Sequence, residues 1–102
     1  MAEKNRWKLE KAEKDRLIAE LTPKLRALRT RARISQGELA NLIGISRQNY
    51  GAVERGARGM SWNTCIALLW FYDCHAATHQ PIRSLLAFPE HLIKSFQERE
   101  EP

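Results

Sequence analysis

Only two cysteines, Cys65 and Cys74, occur in 102 residues. That is too few for a disulfide framework, and in a reducing compartment both stay thiols that act as small apolar packing residues. No run of about eighteen apolar residues is present, which argues against a membrane-spanning helix. The opening MAEKNRWKLEKAEKDR carries charges where a secretory leader needs an apolar stretch. A cytoplasmic protein is the expectation. Apolar-polar alternation of the strand type is almost missing, as are internal repeats and low-complexity tracts. Nor is there a local Ser/His/Asp or Cys/His signature, a glycine-rich phosphate cradle, or a carboxylate pair in apolar surroundings. The chain is therefore read as no enzyme, and no cofactor is called for. Cys65, Cys74, His75 and His79 carry zinc-type ligand atoms, but eight residues lie between the cysteines. Structural zinc sites begin with cysteines about two to four apart, so no metal is expected.

What is present is a basic chain of one-domain length, with formal charge +5 and pI near 9.6. Such a balance suits a polyanionic partner, although charge does not choose between DNA, RNA and an anionic membrane surface. Apolar residues recur at three- and four-residue spacing from Leu17 to Phe96, which predicts an all-α fold. Residues 3–20 place Glu10 and Lys14, Lys11 and Asp15, and Arg16 and Glu20 one helical turn apart, the mark of a solvated helix whose apolar face is Leu17, Ile18 and Leu21. Thr22 before Pro23 reads as an N-cap with proline at the first helical position, opening a helix to about Arg33 that buries Leu25, Leu28 and Ala32. Ser35 with Glu38 forms a capping box for a helix over 36–43, Gly44 ends it, and Ser46 caps a helix from Arg47 to about Arg55. Gly56 and Gly59 bracket a loop, Ser61 caps an apolar helix over 62–72, and the polar stretch from Asp73 to Gln80 breaks it. Pro81 opens a further short helix, and Pro89 divides the C-terminal part into two pieces.

The stretch SQGELANLIGISRQNYGAVERG resembles the helix-turn-helix of the Cro and phage-repressor (XRE) family, and the order of elements agrees over Leu25 to Tyr72. In the geometry this resemblance implies, Leu39, Ala40 and Ile43 of one helix face Ile45, Tyr50 and Val53 around the next, with small Ala40 allowing a close crossing. The expected architecture is a five-helix repressor-like domain over 22–73, a charged N-terminal helix over 1–21 and a C-terminal helical extension over 74–102. The resemblance implies binding to double-stranded DNA. Arg47, Gln48, Asn49 and Ala52 would face base edges in the major groove, since arginine pairs with guanine and glutamine or asparagine with adenine through two hydrogen bonds. Gln36, Arg55 and Arg58 would contact phosphates. Arg29 and Glu54 match positions that pair in this family and have an architectural role. Gly51, inside the second helix, departs from a good helix former and is expected to be exposed.

The run CIALLWFY leaves little polar face: Trp62, Ile66, Leu69, Trp70, Phe71 and Tyr72 crowd one helix. A homodimer covering Trp70, Phe71, Leu85, Leu86, Leu92, Ile93 and Phe96 is expected, on an inverted-repeat operator. The function so read is repression of transcription; the alternative is an antitoxin-like module that binds a partner protein through this apolar half.

Overall fold

Leucines at near-four-residue spacing build the first part of the fold. Leu17, Leu21, Leu25 and Leu28 are all at most 3% exposed. They run as one stripe through α1 (Lys11–Leu21), a 3-10 turn (Thr22–Lys24) and α2 (Leu25–Ala32). The computed structural model describes residues 8–85 together with Lys94 and Gln97. The start of the expected N-terminal helix, residues 1–7, and the expectations resting on Leu86, Leu92, Ile93 and Phe96 lie outside the described residues. Along α1, Lys11 pairs with Asp15 at 2.8 Å on the exposed side, and half-buried Arg16 with half-buried Glu20 at 2.9 Å.

Thr22 does not cap a new helix. Its backbone stays right-handed helical (φ −50°, ψ −50°), and its hydroxyl donates back to the Ile18 carbonyl at 2.7 Å. Pro23 cannot donate to the preceding turn, so the chain tightens into 3-10 geometry and resumes as α2. Burial of the leucine stripe on both sides of the junction favours this continuation over a break.

The remaining helices follow their caps. In α3 (Gln36–Ile43), the Glu38 amide donates to Ser35 Oγ at 3.0 Å and the Ser35 amide to Glu38 Oε1 at 2.9 Å, completing the capping box. Gly44 closes α3 at φ +85°, where a side chain would be strained. Its amide and that of Ile45 both reach the Ala40 carbonyl. Ser46 caps α4 (Arg47–Glu54) through the Asn49 amide, and Ser61 caps α5 (Trp62–Cys74) through the Thr64 amide. The last described helix, α6 (His79–Leu85), starts two residues before Pro81. Proline there falls in the first turn, whose amides have no intrahelical acceptor anyway. The fold is all-α, with no strand among the described residues.

Leu39 and Ala40 of α3, Tyr50 and Val53 of α4, and Cys65, Leu68 and Tyr72 of α5 form one core with the leucine stripe and Ile82 of α6. Helix α5 is central: α1, α3 and α6 all pack on it. Helix α6 is further held by Thr78 donating to the Tyr72 carbonyl at 2.8 Å and by the Arg83 guanidinium gripping Asp73 at 2.7 and 3.0 Å. Arg31 ties α2 to the chain before α6 through the Ala77 carbonyl at 2.8 Å. The two cysteines behave differently. Cys65 is buried and its thiol is pushed up to about 11 by that burial, whereas Cys74 is exposed, contrary to a packing role for both. No described helix is long and apolar enough to cross a membrane.

Candidate nucleic-acid interface

The three residues Gly44 to Ser46 turn the chain between α3 and α4, and the two helices pack through Leu39, Ala40, Tyr50 and Val53. With Tyr50 and Val53 turned inward, the helical period sends Arg47 and Gln48 outward, and both are exposed. The Arg47 stem crosses the start of α3, with its Cδ 3.5 Å from where a Cβ on Gly37 would stand. Ala52, one turn further along α4, is half-buried. Asn49 is less open than the sequence suggested: its Oδ1 is buried and meets no hydrogen-bond partner. Arg55 and Arg58, at and beyond the end of α4, are exposed.

Beneath this surface lies a polar network. Arg29 Nε donates to Glu54 Oε2 at 2.9 Å and Nη2 to Oε1 at 3.0 Å, while Nη1 donates to the Ile34 carbonyl at 3.1 Å. The Arg29 and Glu54 side chains are only 17% and 6% exposed. Gln36, expected at a phosphate, turns one amide hydrogen inward onto Glu54 Oε1 at 3.1 Å. Burial alone would raise the Glu54 carboxyl, but the donors Arg29 and Gln36 and the adjacent Tyr50 hydroxyl together hold it below its ordinary value. The Tyr50 and Tyr72 hydroxyls are buried without a partner at hydrogen-bonding geometry. Burial pushes both upward, Tyr72 to about 12. Three helices, α2, α3 and α4, are thereby joined at the C-terminal end of α4.

Gly51 is buried, not exposed. A Cβ placed on it would stand 3.5 Å from both Gln36 Oε1 and Arg55 Nη1, so side chains from α3 and from the end of α4 cover it. Sequence periodicity places Gly51 on the outer part of α4 and carries no information on those covering groups. A cleft of about 310 Å³ opens at the same place, lined by Arg26, Arg29, Gln36, Glu54 and Arg55. Arg26 lies within the stretch that carries the resemblance but was not among the expected contact residues; its spacing of three residues from Arg29 is the signal that puts it on the same helix face.

On α5, Trp70 is 61% and Ile66 47% exposed, while Phe71 is half-buried, its ring edge-on to Tyr72 at 5.2 Å. Trp62 is half-buried under the Lys14 ammonium, 5.8 Å from the ring centre. Of the expected apolar surface, Trp70 is therefore open, Phe71 packs half-buried against the core, and Ile66 joins Trp70 one turn away. Leu85 lies in α6. Among the described residues, no three His, Cys, Asp or Glu side chains are placed to share a metal ion.

Compared with known families, residues 20–81 match a family described as a helix-turn-helix domain, more than half of the chain. No curated protein and no solved structure matches the chain.

Proposed function

This chain belongs to the helix-turn-helix domain family, of the XRE type, and we propose that it is a sequence-specific reader of double-stranded DNA that represses transcription by occupying an operator. The observation that carries this reading is the arrangement of α4. Arg47 and Gln48 stand exposed at its N-terminal end while Tyr50 and Val53 fill the core behind them. A helix so presented can place two or three side chains in the major groove. Arg47 and Gln48 are the main base readers, joined by Ala52 and, after a side-chain turn, Asn49. Arg55 and Arg58 take phosphates, and Gln36 uses its second amide hydrogen for the same purpose. Selection of bound sequences from a random duplex pool, followed by titration of the enriched site across salt, tests the reading. The logarithm of the affinity should fall linearly with the logarithm of salt, with a slope of about 0.9 per phosphate neutralised. Absence of any enriched sequence, or binding insensitive to salt, would refute it.

The exposed Trp70 and Ile66 support homodimerisation through α5, with the operator an inverted repeat. The same pair supports a second reading, in which an antitoxin-like chain covers this face with a partner protein. Sedimentation of the isolated protein separates the two: a dimer favours the first, a monomer that captures its genomic neighbour's product the second.

A further inference from the structure

We infer that Arg26 of α2 and Arg55 at the end of α4 form a two-guanidinium clamp on a single phosphodiester of the DNA backbone. This rests on the duplex-DNA reading above and adds to it a residue outside the helix-turn-helix pair. Both arginines line the cleft that also holds Arg29, Gln36 and Glu54. The charges inside that cleft do not cancel. Glu54 is consumed by the two hydrogen bonds from Arg29 and the one from Gln36, and its side chain is 6% exposed. Arg29 is consumed in turn by Glu54 and the Ile34 carbonyl. That leaves Arg26 and Arg55, both exposed and neither bonded to another side chain among the described residues. Two uncompensated guanidinium groups at one concave site favour an anion with several acceptor oxygens, and planar N–H forks match phosphate oxygens in pairs.

The flank of α4 at Gly51 locates the Arg55 fork. Arg55 Nη1 and Gln36 Oε1 each lie 3.5 Å from where a Cβ on Gly51 would stand, so the Arg55 fork rests against the flank of α4 and next to Gln36. Gln36 retains one amide hydrogen beyond the one given to Glu54, a third donor at the same opening. The cleft thus lies where α2, the start of α3 and the end of α4 meet, beside the surface that presents Arg47 and Gln48. A DNA strand tracking past those readers brings its phosphates to this edge, which is why the backbone is the source of the anion.

The test is a titration of the selected duplex and a random duplex across salt, with wild type, Arg26→Ala, Arg55→Ala, the double variant, and Lys11→Ala as a charge-matched control on α1. Arg26→Ala should weaken both duplexes by a similar factor, about tenfold, without altering the preferred sequence, and Arg26→Lys should restore only part of it. Two arginines on one phosphate count once. The double variant should lower the log-log salt slope by about 0.9, whereas two independent contacts would lower it by about 1.8. Unchanged melting curves for Arg26→Ala establish that the loss is not one of folding. A drop of about 1.8, or an Arg26→Ala variant indistinguishable from Lys11→Ala, overturns the clamp while leaving the DNA reading standing. Wild type that binds no duplex overturns the DNA reading itself. Inorganic phosphate is the last arm: if it saturates the Arg26 and Arg55 side-chain NMR signals without DNA, the cleft is a free-phosphate site and the backbone assignment fails.

Discussion

Arg29→Ala should be among the most costly single changes outside the apolar core, and the reason lies in the partners of one carboxylate. Glu54 is held by two hydrogen bonds from Arg29 and one from Gln36, with 6% of its side chain exposed. Removing Arg29 leaves that charge in place with the Gln36 amide as its surviving side-chain hydrogen bond. Breaking a buried pair from one side costs about 3–5 kcal/mol, whereas replacing both partners by apolar residues of similar volume is often near neutral. At the lower figure, Tm should drop by about 12–24 °C for a domain of this size. Arg29→Met combined with Glu54→Leu should recover most of that loss.

Urea denaturation at several pH values supplies the decisive reading. In the wild type the folded-state Glu54 carboxyl sits below its ordinary 4.5. The stability it contributes is fully present above that value and is lost as pH falls through the folded-state value. In Arg29→Ala, burial becomes the dominant influence and raises the carboxyl above 4.5, so the neutral form is favoured in acid and its contribution is lost as pH rises. The gap between wild type and variant should therefore be widest near neutrality and narrow below about pH 4.5. A cost under about 1 kcal/mol at pH 7, or a gap that does not change with pH, would refute the claim that this pair is effectively buried.

Three further outcomes are expected. Arg47→Ala and Gln48→Ala should each lose about 1–3 kcal/mol on the selected site and relax preference at particular base pairs, while Arg58→Ala weakens all duplexes alike; competition titrations with single-base variants of the site check this. Gly51→Ala should raise stability by about 0.5–1 kcal/mol, because its new methyl meets Gln36 and Arg55 at ordinary contact distance and a helix-interior glycine is removed; a fall in Tm would show that the covering side chains cannot adjust. Trp70→Glu should leave the monomer's stability within about 0.5 kcal/mol, since the residue is 61% exposed, yet abolish the proposed dimer in sedimentation and weaken binding to the proposed operator. A Trp70→Glu chain that still sediments as a dimer would place the interface elsewhere.

Local signals in the sequence were sufficient wherever a short stretch decides its own geometry. Ser35 with Glu38, Gly44, Ser46 and Ser61 set the bounds of α3 and the starts of α4 and α5, because a cap or a left-handed turn involves only residues within a few positions of each other. The outward direction of Arg47 and Gln48 followed from the same helical period that buries Tyr50 and Val53. Thr22–Pro23 looked like a helix start, but its outcome depended on a leucine stripe buried on both sides of the junction, so packing decided in favour of continuation. Gly51 looked exposed because the groups that cover it, Gln36 and Arg55, come from α3 and from the far end of α4. The apolar run within α5 gave no period to read, and only the arrival of α1, α3 and α6 on it separated buried Leu68 and Tyr72 from open Ile66 and Trp70. Arg26 likewise shares a cleft with Arg55 only because the fold brings the end of α4 beside α2. Caps and helical period are properties of neighbours along the chain; which face is covered, and which charges meet, depends on partners distant in sequence that folding alone brings together.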